Sequence, residues 1–397
     1  MKRTTLLKAF VLILTVLNMA CGVNLKEKNI LINEIENTKN IFAPDKRTAL
    51  FNIEVLEGPS GFTLMGESNL PNAVDSLKAI LKDKGIETVD QIRILPSPEL
   101  EGKTKAVINI SAANLRSNPK HSAELATQAT LGTVVNVLKK EGGWYLIQTP
   151  DNYLAWVDDG GIHLMSEQES HDWNVSDKLI YTNTYGHAYD SKDVSIRVSD
   201  LVAGSLLKLT SDEDDFYKVQ FPDGRQGLIP KDEAQEYNTW LSNLSFEADA
   251  LVETSKTLMG VPYLWGGTST KGVDCSGYTK TIYFLNGMVI PRDASQQVHA
   301  GKSIDSIADF SQLKKGDLLF FGRKATDTTS EKVVHVGMWI GDKQFIHSSN
   351  MVRISSIDKE APNYDEYNVS RYLRTKRILH VDDKKVIDLK KANSIKG

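Results

Sequence analysis

The chain has 397 residues, 41% hydrophobic and 25% charged, a composition suited to a globular protein of roughly two to four domains. Its net charge is −4 and its basic residues are scattered, so no nucleic-acid surface is expected. The two cysteines, Cys21 and Cys275, lie in unrelated contexts, which argues against a disulfide and leaves each thiol for chemistry.

In chain order, Lys2 and Arg3 precede an almost wholly apolar run from Ala9 to Ala20, of signal-peptide length and too short to span a bilayer. The run ends in Leu17-Asn18-Met19-Ala20-Cys21-Gly22, which resembles a bacterial lipobox. Residues 1–21 then form a lipoprotein signal peptide ending in a lipidated Cys21. The protein would be exported and anchored, facing the periplasm or cell surface. The alternative is ordinary secretory cleavage, for which Asn18 and Met19 make a poor small-residue site. Residues 22–45 are polar and charged and read as a tether. Residues 46–105 read as a small β-β-α-β unit: Phe51, Ile53 and Val55 alternate, and Ala73, Val74, Leu77, Ile80 and Leu81 recur at helical spacing. Gly85 is a C-cap, and Ile92 to Leu95 forms a closing strand.

Residues 106–235 contain an internal repeat. At an offset of 72, Gly132 meets Gly204, Trp144 meets Phe216, and Pro150-Asp151 meets Pro222-Asp223, without a gap over 26 residues. Each copy predicts strand, turn, strand, hairpin turn and strand, hence two small β-barrels over 106–168 and 169–239. They resemble bacterial SH3-like domains, the first copy most clearly in its Asn114-Leu115-Arg116 opening.

Residues 240–385 predict a helix over 246–259, a second helix after Cys275, and then β segments, an α+β arrangement. Residues 386–397 read as a polar tail. Cys275 follows Asp274, which can cap the second helix and place the sulfur where the helix dipole favours a thiolate. Sixty residues on comes His335, and then His347. A thiol with a histidine at a distance is the pairing for nucleophilic catalysis, and backbone N–H groups at the helix start can hold an oxyanion. The alternatives are a buried structural cysteine, a satisfied core histidine at 335 and an exposed strand-end histidine at 347. No zinc-site spacing and no phosphate loop is present; no cofactor or metal is expected.

Strand parity tests the triad. A tight turn at Gly341-Asp342 pairs His335 with Ser348 and sends His347 to the opposite face. A three-residue loop through Lys343, or a bulge, brings both histidines to one face.

Residues 260–350 resemble the NlpC family of papain-like cysteine peptidases. The matching stretches are Pro262 to Gly267 (PYLWGG), Asp274 to Gly277 (DCSG), Pro291 to Gln297 (PRDASQQ), Gly316 to Phe321 (GDLLFF), His335-Val-Gly and Ile346-His347. The resemblance implies an α+β papain-like domain with Cys275, His335 and His347 as triad. It implies cleavage of peptidoglycan peptides between γ-D-Glu and a diamino acid. Two SH3-like domains before such a domain are similar to enzymes in which the first barrel holds the free amine of a terminal L-Ala. The residues implied here are Glu124 and Tyr153. Tyr263, Asp274, Ser276 and Ser295 are implied to contact substrate or support the oxyanion, and Trp265 to line the cleft; Asp274 has helix capping as its alternative. The expected partners are muropeptides and, through the lipid, a membrane; a monomer is expected. The rival readings are an amidase or acyltransferase on the same fold, and a wall-binding lipoprotein with an idle catalytic domain.

Overall fold

The computed structural model describes residues 25–59 and 61–394. The signal segment and Cys21 lie outside them. The chain divides after Leu100 into two compact units.

The first unit carries the expected β-β-α-β pattern. Phe51–Gly58 pairs antiparallel with Gly61–Ser68, which pairs parallel with Thr88–Ile94 across the helix Pro71–Asp83. Gly85 follows that helix at φ +70°, the left-handed position that ends helices. The expected tether is corrected: residues 25–42 form a helix. Leu31, Ile35 and Thr38 make a narrow buried stripe on it, and Leu31 and Ile35 pack with Phe51, Leu64 and Leu77. A stripe that thin leaves the segment polar in bulk composition.

In the second unit the repeat is structural. Leu125–Thr130, Val134–Glu141, Trp144–Gln148 and Leu154–Asp158 recur 72 residues later as Arg197–Val202, Leu206–Glu213, Phe216–Gln220 and Gln226–Pro230. The two seven-stranded sheets have the same strand order. Each bulges at the same place, between Val137 and Lys139 and between Leu209 and Ser211. The hairpin turns place Asn152 and Gly224 at matching positive φ, 66° and 89°. Three expected boundaries are corrected. Residue 105 opens the strand Lys105–Ile108 of the first barrel instead of closing the unit before it. Residue 168 falls inside the helix Glu167–Val175, which a Ser166–Glu169 capping box starts and which buries Trp173 against Val107 and Met165. Residue 239 falls inside the helix Tyr237–Asn243, whose Trp240 and Leu241 pack on Ile180.

The remaining residues form the α+β domain. Its six-stranded antiparallel sheet runs Lys302–Asp305, Tyr372–Arg377, Leu318–Arg323, Lys332–Gly341, Gln344–Ser349 and Met351–Ser356. The helices Ala248–Thr257 and Cys275–Leu285 share a core with one sheet face through Leu251, Tyr278, Ile282, Phe320, Val336 and Met338. Leu319, Phe321, Trp339 and Phe345 pack on the other face. The tail expected from 386 is also corrected. Ile387–Asp388 pairs with Met288–Val289, and Leu389 packs on the Trp240 cluster, because this stretch carries its own apolar residues. No described helix is long and apolar enough to cross a membrane.

Candidate active site

Cys275 is the first residue of its helix. Asp274 caps that helix, accepting from the Gly277 N–H at 2.7 Å. The same carboxylate accepts from the Gly266 N–H at 2.9 Å, from Ser276 Oγ at 3.2 Å and from two nitrogens of Arg292 at 2.6 and 3.1 Å. Ser276 Oγ, itself buried, also accepts from Arg292 at 3.1 Å. These bonds give Asp274 its capping role and tie both side chains to Arg292. Asp274 and Ser276 brace the loops beneath the nucleophile, because a buried guanidinium needs a carboxylate. Arg292 is 1% exposed, and its Nε donates to Thr127 Oγ1 of the first barrel at 2.8 Å.

The histidines pass the parity test through a bulge. The strands turn at Asp342 and Lys343, both at positive φ, with Gly341 opposite Gln344. A register shift between Trp339 and Gly341 then sets Trp339 opposite Phe345 and Met338 opposite Ile346. Continued by one residue, this register sets Gly337 opposite His347, and His335 shares the face of Gly337. Gly337 leaves the room required, since a Cβ there would press on Phe345 and on His347. His335 Nε2 and His347 Nδ1 lie 2.7 Å apart, and His347 Nε2 lies 3.0 Å from Ser355 Oγ and 3.8 Å from Asp365 Oδ2. Among the tautomer sets that fit, one has His335 Nε2–H donating to His347, His347 Nε2–H donating to Ser355, and His335 Nδ1 left as an acceptor.

The thiol meets the histidine strand directly. The backbone N–H groups of Val336, next to His335, and of Ser276 bond the sulfur. Burial, and then the charge of Asp274, nevertheless push the Cys275 thiol up to about 12. Burial, reinforced by His347, Arg371 and Arg353, holds His335 well below its ordinary range. Burial brings His347 to about 4 against the opposing charge of Asp365. Burial at the sulfur thus works against the thiolate that the helix dipole favours.

The remaining expected residues surround this centre. Tyr263 is raised by burial and then by the charges of Cys275 and Asp274, so its hydroxyl keeps its proton beside the sulfur. Trp265 is 63% exposed and its indole donates to Glu124 Oε1 at 2.7 Å. Tyr153 is buried and donates to Asp293 Oδ2 at 3.1 Å. Asp293 caps the short helix Ala294–Gln297, which carries Ser295. The first barrel thus reaches the catalytic domain at both positions. Sequence reasoning missed Arg292, Ser355, Asp365 and Asp293. For Arg292 and Asp293 the signal was at hand, since both stand in the quoted PRDASQQ stretch.

A thiol at a helix N-terminus, set against a histidine pair on an antiparallel sheet, defines a papain-like cysteine hydrolase. Residues 260–387 match the NlpC/P60 family and residues 111–163 match the bacterial SH3 domain. The gamma-D-glutamyl-L-lysine dipeptidyl-peptidase of Bacillus cereus is 34% identical over 63% of this chain and 76% of its own. Dipeptidyl-peptidase 6 of Lysinibacillus sphaericus is 27% identical over 65% of this chain and 94% of its own. The crystal structure of an NlpC/P60 family protein from Bacillus cereus superposes with a TM-score of 0.59 at 27% identity, covering 69% of this chain and 99% of that one. The chain belongs to the NlpC/P60 family, and it is a peptidase of the cysteine type.

Proposed function

We propose that this chain is an exported, lipid-anchored endopeptidase that cuts the γ-D-glutamyl–diamino acid bond of wall peptides bearing a free N-terminal L-Ala, releasing L-Ala-γ-D-Glu. The carrying observation is the joined site: Cys275 bonded from the His335 strand, with Glu124 and Tyr153 of the first barrel bonded to Trp265 and Asp293. The relatives named as dipeptidyl-peptidases support the same substrate class.

In this reading His335 Nδ1 takes the thiol proton as sulfur attacks the γ-carbonyl. Helix-start N–H groups and the Tyr263 hydroxyl hold the oxyanion. The proton passes to the leaving amine, leaving an acyl-enzyme. Water, deprotonated by His335, then releases the dipeptide and restores the thiol. His347 fixes the imidazole tautomer and bears part of its charge. Glu124 and Tyr153 receive the substrate ammonium, which needs a carboxylate in a closing cleft. Ser295 and Trp265 line the same cleft, and the lipid on Cys21 holds the enzyme at a membrane.

Mass spectrometry of defined tripeptides tests this. Cys275→Ala is expected to abolish dipeptide release while thermal unfolding stays unchanged; full activity in that variant sinks the mechanism. Equal turnover of free and N-acetylated tripeptides sinks the amine site.

A further inference from the structure

Lys280 lies on the same helix as Cys275 and points away from the sheet toward the first barrel. Its ammonium donates to Asp151 Oδ2 at 2.6 Å and to the Ile290 carbonyl at 3.0 Å. The two side chains are only 16% and 12% exposed. Asp151 stands in the Pro150-Asp151-Asn152 turn, directly before Tyr153. Thr149 Oγ1 joins the two, donating to Asp151 Oδ1 at 2.7 Å and accepting from the Tyr153 N–H at 3.2 Å. Tyr153 is thus held at its backbone by a turn that the catalytic helix grips, and at its hydroxyl by Asp293.

Burial raises the Asp151 carboxyl, but the charge and hydrogen bond of Lys280 outweigh it and keep the group ionised. A buried ion pair is a poor device for stability alone, because its desolvation cost cancels much of its attraction. Its value lies in fixing geometry. The second copy makes the contrast, since there Asp223 bonds its neighbour Arg225 and Asn109.

We propose that Lys280 and Asp151 are positioning residues that hold the Tyr153 turn at the amine end of the cleft, and so set the preference for a free N-terminal amine. This rests on the amine-binding reading of Glu124 and Tyr153.

The full-length enzyme is assayed on L-Ala-γ-D-Glu-diamino acid tripeptide, free and N-acetylated, with kcat and KM for each. The rate of Cys275 alkylation by iodoacetamide is read in parallel. Lys280→Met and Asp151→Asn are expected to raise KM for the free peptide about tenfold and to lower the preference over the acetylated peptide equally. Their kcat and alkylation rate stay at wild-type values, and Lys280→Arg retains the preference. If Lys280→Met does not fold, Asp151→Asn, which keeps the side-chain shape, carries the same readouts. Unchanged KM and preference in a folded variant overturn the role of the pair. So does a parallel loss of kcat and alkylation, which marks a merely structural effect on the nucleophile. Indifference of the wild type to acetylation overturns the amine reading and the pair's role with it. A wild-type preference that survives in the variants overturns the pair's role alone.

Discussion

The first SH3-like copy presents Glu124, Thr127, Asp151 and Tyr153 to the catalytic domain, each through a hydrogen bond. The matching positions of the second copy are Ile196, Ser199, Asp223 and Arg225. Ile196 is 60% exposed, Ser199 bonds its neighbour Asp200, and Asp223 bonds Arg225. Strand order, bulge and turn are held in common. What differs is the set of side chains that leave the barrel. Closing a barrel constrains inward residues and turns, and leaves the outward ones to be spent on a partner.

The largest expected effect separates both barrels from the catalytic domain. The buried imidazoles among the described residues, His335 and His347, belong to the catalytic sheet. His347 falls from 6.5 unfolded to about 4 folded. Between those values the unfolded chain binds a proton that the folded chain refuses. Stability is therefore full above pH 6.5 and falls as pH drops toward 4, by about 3 kcal/mol for this group alone. Denaturant melts at pH 7 and 4.5 read this, and His347→Gln flattens the fall. A wild-type curve that is flat in this range contradicts the buried neutral imidazole. The acid limb of kcat/KM is expected below the ordinary imidazole range for the same reason.

The next test substitutes matched residues in each copy. Glu124→Gln is expected to lower kcat/KM on the free-amine tripeptide by about 100-fold, as loss of a charge partner does. Ile196→Ala leaves it unchanged. Equal effects of the two erase the functional difference between the barrels. Smaller again, Asp151→Asn is expected to cost about 2 kcal/mol in equilibrium unfolding, because it strands the Lys280 charge. Asp223→Asn disturbs a more exposed pair and costs under about 1 kcal/mol. The smallest difference concerns Gly132 and Gly204, at φ 85° and 86°. A Cβ at Gly132 collides with the Leu206 carbonyl, whereas one at Gly204 meets the Phe284 ring. Backbone yields less than a side chain, so Gly132→Ala is expected to be the worse by about 1 kcal/mol. Thermal denaturation ranks them.

Where chemistry sits next to its own sequence signal, it was legible. Asp274 before Cys275 announced the cap, and the apolar strand around His335 announced its burial. Parity arithmetic reduced His347 to one question, which the bulge before Gly341 answered. The repeat was legible from 132 to 157 because turns and aromatics recur there. It weakened upstream, where the first two strands of each copy stand 73 apart. At the thiol the helix dipole is a local signal, whereas the burial that opposes it is a property of the whole fold. Asp365 and Lys280 stayed hidden for a related reason: each acts on a residue distant in sequence. The helix over 25–42 was missed because two buried aliphatics among many charges look like a linker to any measure of average composition.

Arg292 has one more consequence. Its guanidinium is shut in by Asp274 on one side and by a threonine of the first barrel on the other. A fusion that moved the catalytic domain alone onto an unrelated module would carry that guanidinium along with one side left open. The polar interior of the catalytic domain is therefore completed by a residue from outside it. Thr127 of the first barrel is that residue, so the two domains share one buried polar network.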